Sequence, residues 1–220
     1  MAKLEWDAQN THFYETGVDH GVLYPMSADG STYGVGVAWN GLTAVTESPS
    51  GADPNPIYAD NIKYLNLYSV EEFGATIEAY TYPDEWAECD GSAQVSPGVT
   101  IGQQKRKAFG FSFRSLVGND TLASDYGYKI HLIYNAMASP SDRNYTTTND
   151  NPEAIDFSWE VSTTPVEVGG NYKPTSHIIV ESNKVDATKL ATLKETLYGS
   201  ENAQPTLPTP AQVIAMFAQG

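Results

Sequence analysis

Between residues 154 and 164 apolar and polar side chains alternate one for one: Ile155, Phe157, Trp159 and Val161 against Asp156, Ser158, Glu160 and Ser162. A strand with one buried and one wet face repeats in this way, because successive strand side chains point to opposite sides of a sheet. The pattern recurs. Phe109, Phe111 and Phe113 alternate with Gly110, Ser112 and Arg114, and Tyr128, Ile130, Leu132 and Tyr134 form a third apolar face. Residues 64–68 and 74–80 also read as strands, and 35–47 as another, interrupted at the turn or bulge signal Asn40-Gly41. Short strands at this spacing, with few helices, predict a mainly β chain: an antiparallel sandwich or barrel with long loops.

The 220 residues suit one generous domain. Val, Ile, Leu and Phe make up only a fifth of the chain, which with a net charge of −15 sits at the edge of disorder. The 14 Tyr, 4 Trp and 20 Thr restore the balance, since these residues favour half-buried pleated surfaces. No apolar run approaches the roughly 20 residues of a membrane span. The start, Lys3-Leu4-Glu5-Trp6-Asp7, lacks the apolar core of a secretory signal, and a single cysteine, Cys89, excludes an internal disulfide framework.

Three helices are signed. Asp186 is a natural N-cap, Leu190, Leu193 and Leu197 follow on one face, and Gly199 ends the helix. A short helix starts at Pro83, runs through Asp84 and Glu85 and closes at Gly91, burying Trp86 and Cys89. Thr209 and Gln212 occupy capping-box positions of a third, 209–217. The preceding Gln204-Pro205-Thr206-Leu207-Pro208 reads as an extended linker, so the chain divides into a domain, 1–199, and a C-terminal arm, 200–220. Residues 48–56, Ser-Pro-Ser-Gly-Ala-Asp-Pro-Asn-Pro, read as a long polar loop.

Charge is divided unevenly. Residues 1–104 hold only Lys3 and Lys63 against 15 carboxylates, a net of −13, while 105–220 hold 10 basic and 12 acidic side chains. Such a surface argues against gripping nucleic acid or an anionic membrane, both of which are bound through Lys and Arg. The basic cluster Lys105-Arg106-Lys107 stands out against this background.

Catalytic chemistry finds no foothold. His12, His20, His131 and His177 lie far apart, none at metal-ligand spacing from another, so no metal and no cofactor is expected. Glu88 and Asp90 flank Cys89 and disfavour its thiolate. Gly110-Phe111-Ser112-Phe113-Arg114 approximates a nucleophile elbow but has Arg where the last Gly belongs. The carboxylates Asp84, Glu85, Glu88 and Asp90 fit a helix start with a solvated face, and Glu71-Glu72 a turn.

A resemblance covers most of the chain, from about residue 3 to 198. The run Trp39-Asn40-Gly41-Leu42-Thr43-Ala44-Val45-Thr46-Glu47-Ser48-Pro49-Ser50-Gly51-Ala52, then Tyr58-Ala59-Asp60-Asn61-Ile62-Lys63-Tyr64 and Glu72-Phe73-Gly74-Ala75-Thr76-Ile77-Glu78-Ala79-Tyr80-Thr81-Tyr82-Pro83, resembles the major tail protein family of long-tailed phages of Gram-positive bacteria. Glu15-Thr16-Gly17-Val18, Gly21-Val22-Leu23-Tyr24-Pro25, Thr100-Ile101-Gly102-Gln103-Gln104 and Phe157-Ser158-Trp159-Glu160-Val161 are similar to it too, and residues 200–220 least.

The resemblance implies a non-enzymatic tail tube subunit of the virion, made in the host cytoplasm. Its fold would be a β-sandwich with a flanking helix, and copies would stack as hexameric rings around a DNA channel. Its partners would be other copies of itself and the tape measure, tail tip and terminator proteins; DNA would pass without specific binding, and no membrane would take part. On that reading Glu47 and Glu78 are expected in an acidic lumen. The 48–56 loop (Ser48, Gly51, Asp53, Asn55) and the stretch after Gln204 are expected to contact neighbouring subunits, so deleting that stretch should weaken stacking and leave the monomer folded. Lys105, Arg106 and Lys107 are expected to face acidic residues of an adjacent copy. The alternatives from other classes are a β-sandwich carbohydrate-binding module with exposed Tyr and Trp, and a carboxylate-dependent hydrolase.

Overall fold

The computed structural model describes residues 3–148 and 150–218. The strands are β1 (Phe13–Pro25), β2 (Val37–Trp39), β3 (Leu42–Glu47), β4 (Ser50–Gly51), β5 (Pro54–Ala59), β6 (Ile62–Tyr68), β7 (Glu71–Glu72), β8 (Gly74–Ala79), β9 (Ala93–Ser96), β10 (Val99–Ile101), β11 (Phe109–Asn119), β12 (Ala123–Ala138), β13 (Phe157–Thr163) and β14 (His177–Glu181). The helices are α1 (Trp86–Asp90), α2 (Ala187–Tyr198) and α3 (Pro210–Phe217). No helix among the described residues is long and apolar enough to cross a membrane.

The fold is mainly β. Eight strands form one antiparallel sheet in the order β2-β1-β11-β12-β13-β8-β3, with β14 beside β12 off this path. The sheet curls on itself: β3, at one end of the order, returns to β1, where a methyl group at Gly21 would lie 2.4 Å from Leu42 Cδ1. Leu42 Cδ1 is the free end of a flexible side chain, but the backbone oxygen of Trp39, 3.0 Å from the same methyl position, leaves little room for a side chain at position 21. The curl is made possible by β12, which pairs β14 through Lys129–Ile133 and β13 through Ala136–Ala138. Asn135, between the two pairings, has φ +47°, the left-handed conformation that Asn tolerates better than most residues.

Two cores result. Inside the curl, Trp39, Trp86 and Trp159 pack with ring centroids 4.7–5.5 Å apart, over Phe109, Phe111, Ile77 and Val161. Trp86 and Cys89 of α1 plug this interior as their spacing predicts, although the helix starts at Trp86 and Pro83 precedes it in a turn. Outside, Leu190, Leu193 and Leu197 of α2 cover Val22, Tyr24, Ile130, Leu132 and Tyr134. Asp186 caps α2, accepting from the N–H groups of Thr188 and Lys189 at 3.0 Å.

Two expectations change. β11 has no wet face: Ser112 is fully buried, 3.3 Å from the Tyr24 hydroxyl, because a helical layer covers the side opposite the phenylalanines. The C-terminal stretch is no free linker either. Pro205 O accepts from Gly36 N at 2.8 Å, Thr206 N donates to Thr196 O at 2.8 Å, and Leu207 and Val213 are buried in the outer core. Pro208 and Pro210 are buried with them, so the prolines help to hold the stretch down. The capping box of α3, Thr209 with Gln212, forms as read from the sequence.

Candidate functional site

The most unusual surface is an arm. After β3 the chain leaves the sheet, climbs through β4 and β5, turns at Asp60-Asn61 (φ +52° and +64°) and returns through β6 and β7 to β8. Residues 48–56 therefore include the root and the ascending strand of a ribbon where the sequence reads as a loop. A two-stranded ribbon has two edges and no centre, so Pro54 and Pro56 cost it no ladder that a wider sheet would need. Register places Ile57 opposite Leu65 on one face, and Pro54 opposite Tyr68 on the other. Tyr58 is 68 % exposed, Tyr64 66 % and Val70 80 %, so apolar groups face water on both sides. Ser48, Gly51, Asp53 and Asn55 all lie at the arm's root or on its ascending strand, exposed.

Glu47 and Glu78 fall on opposite faces of the sheet. Glu78 stands opposite Ser158 and beside Ala44, on an outer face shared with Thr76 and Glu160. Glu47 is paired with Ala75, on the side of Val45 and Ile77, and turns toward the end of the inner core.

The basic cluster is largely engaged within the chain. Arg106 Nη1 lies 3.6 Å from Asp90 Oδ1 and donates to the carbonyls of Ala138 and Ser139 at 3.2 and 3.3 Å. Lys107 pairs with Glu88, and Lys105 is exposed. Arg143 pairs with Asp90 as well, which makes that carboxylate, only 10 % exposed, an anchor for two guanidinium groups where the sequence suggests a solvated helix face. Cys89 beside it is pushed up to about 12 by burial, reinforced by Glu88 and Asp90, so the thiol stays protonated.

Where the inner core ends, three polar side chains converge. His131 on β12 and His177 on β14 are diagonal neighbours on one face of an antiparallel pair, since His131 is opposite Ile179 and Ile133 opposite His177. Glu47, the last residue of β3, comes in from the other side. Its Oε1 is 3.2 Å from His131 Nδ1 and 3.5 Å from His177 Nε2, and the two nitrogens are 3.4 Å apart. Phe113 stacks on His131 at 4.4 Å and Phe73 packs on His177 at 4.5 Å. His131 Nε2 also lies 3.0 Å from Ser115 Oγ. Burial lowers both histidines to about 4, so at neutral pH Glu47 faces two uncharged rings and the contacts are not salt bridges. Burial raises Glu47, with Glu15 adding to it. Sequence spacing has no means of finding this trio, whose members come from three separate strands.

No protein-family model and no curated protein matches the chain.

Proposed function

We propose that this chain is a structural subunit of a phage tail tube, and that copies assemble into stacked rings around a channel for DNA. The observation that carries the reading is the arm. An isolated two-stranded hairpin is marginal in water at best, and one that is apolar on both faces calls for a covering surface. A second copy is the natural cover: an arm seated on a different patch of the next subunit is a heterologous contact, and such contacts generate rings or filaments. The segments that resemble the major tail protein family, 39–52, 58–64 and 72–83, include β3, the root and turn of the arm, and β8.

The charge supports the same reading. Glu78 and Glu160 share the outer face of the β13–β8–β3 region with Thr76, Ser158 and Ser162. Such a face offers no cation for a phosphate to grip, which suits a wall past which DNA must slide. In this reading Glu78 belongs to the lumen and Glu47 does not, the subunit carries no enzymatic activity, and its partners are its own copies and the other tail proteins.

Purified protein imaged by negative stain, with light scattering across a concentration series, tests this. Rings or tubes with a central channel are expected, and a Tyr58→Ser, Tyr64→Ser, Leu67→Ser variant should stay monomeric with an unchanged thermal midpoint. A parent that remains monomeric at every concentration, or a variant that assembles like it, overturns the reading.

A further inference from the structure

We propose that Glu47, His131 and His177 form a binding site for one divalent transition-metal ion, with zinc as its best-fitting occupant. The three atoms that face one another, Glu47 Oε1, His131 Nδ1 and His177 Nε2, make a nearly equilateral triangle with sides of 3.2, 3.4 and 3.5 Å. A tetrahedral zinc ion holds nitrogen and oxygen ligands at about 2.0–2.1 Å, which requires ligand-to-ligand separations of about 3.3–3.4 Å. The sides of the triangle match that requirement without movement of a strand.

With the ring protons on the far nitrogens, His131 Nε2 and His177 Nδ1, all three facing atoms offer a lone pair to one small space. Protons on the near nitrogens instead can donate to Glu47 Oε1 and leave the two rings without a bond to each other. An ion at the apex engages all three at once. Two imidazoles and one carboxylate are a ligand set that zinc takes in open sites, with the fourth position left to water or an outside group. The side-chain exposures agree: His131 is 9 % and His177 14 % exposed, while Glu47 at 35 % leaves the site open on one side.

The surroundings hold the ligands as a metal site needs. A proton on His131 Nε2, directed at Ser115 Oγ, leaves Nδ1 as the donor, which is the usual arrangement around a metal-bound histidine. Phe113 and Phe73 fix the planes of the two rings. Because Ser48, the next residue after Glu47, leads into the arm, the ion would clip the root of the arm to β12 and β14. The role that follows is structural.

The full-length protein, stripped with a chelator and dialysed, is titrated with cobalt(II) and with zinc. One equivalent of cobalt per chain is expected, with the intense visible absorption of a four-coordinate ion, displaced by zinc. Saturating zinc should raise the thermal midpoint by about 5 °C. Glu47→Gln, nearly isosteric and partly exposed, should weaken zinc binding at least tenfold, and His177→Gln should abolish it. Metal-free melts of both variants, compared with the metal-free parent, report whether they fold. Absence of stoichiometric cobalt uptake by the parent overturns the proposal, as does unchanged binding by the folded Glu47→Gln variant. Neither result depends on whether the chain forms tubes.

Discussion

Arg114 closes a two-pronged hydrogen bond on Asp19, Nε to Oδ1 at 2.7 Å and Nη2 to Oδ2 at 2.6 Å, at the one register point of β1 that lies between two shifts of its ladder with β11. The guanidinium also lies over the Tyr128 ring at 5.0 Å. A strand that slips twice within a few residues needs a fixed point, and a bidentate pair supplies both energy and direction.

That pair predicts an acid sensitivity. Hydrogen bonds from Arg114 hold the Asp19 carboxyl below its ordinary value. Its contribution is therefore complete above the unfolded value of about 3.9 and is lost as pH falls through the lower, folded one. Asp19→Asn should cost about 1 kcal/mol at pH 7, modest because the carboxylate is 39 % exposed. Denaturant melts should show the difference from the parent shrinking as the pH falls below about 4.

Leu207 sits under Gly110, where an added methyl group would lie 2.2 Å from Leu207 Cδ2. Leu207→Ala should cost about 2–4 kcal/mol through the cavity it leaves. Deleting 204–220 removes Val213 as well, so the truncated chain should lose its cooperative thermal transition instead of remaining a folded monomer that merely fails to stack. Calorimetry of the two variants checks both statements.

The basic cluster separates into two experiments. Arg106→Glu replaces a cation held by Asp90 and two carbonyls with a carboxylate beside Asp90, and should destabilise the monomer by about 2–4 kcal/mol. Lys105→Glu should leave the melt within about 0.5 kcal/mol of the parent. Any change it makes in the salt dependence of assembly then reports a contact between copies.

Gly51, at the root of the arm, has φ +82°, and a methyl group there would lie 2.3 Å from the Val70 carbonyl oxygen. Backbone has nowhere to retreat at that distance. Gly51→Ala should open the β4–β7 pairing, increase hydrogen exchange across 48–72 and, on the proposed function, impair assembly, while the thermal midpoint of the curled sheet stays put.

Strands with one wet face were legible from their alternation: β8 and β13 lie close to where the pattern places them, as do the caps at Asp186, Thr209 and Gly91. β1 was not, because Gly17 and His20 both take positive φ and the ladder shifts on either side of Asp19, which scrambles the period. The arm was half legible: its returning strand β6 is read at 64–68, while its ascending strand was hidden by Pro54 and Pro56, which signal a loop wherever a strand is assumed to have neighbours on both sides. The trio of Glu47, His131 and His177 was out of reach for a different reason. Ligand spacing is a local rule, and these residues meet only once the sheet has curled.

The pairing of Phe13 with Asn119 has a consequence in time. A ribosome adding roughly 5–20 residues per second needs about 5–20 s to supply the partner of the first long strand. The arm, built from neighbouring residues, can close within about 10 μs of emerging, long before the curled sheet that carries it exists. During that interval the growing chain displays a sticky hairpin and an unpaired strand together. The excess of 13 negative charges in residues 1–104 lies in this waiting segment, where like charge on neighbouring nascent chains opposes their sticking to one another.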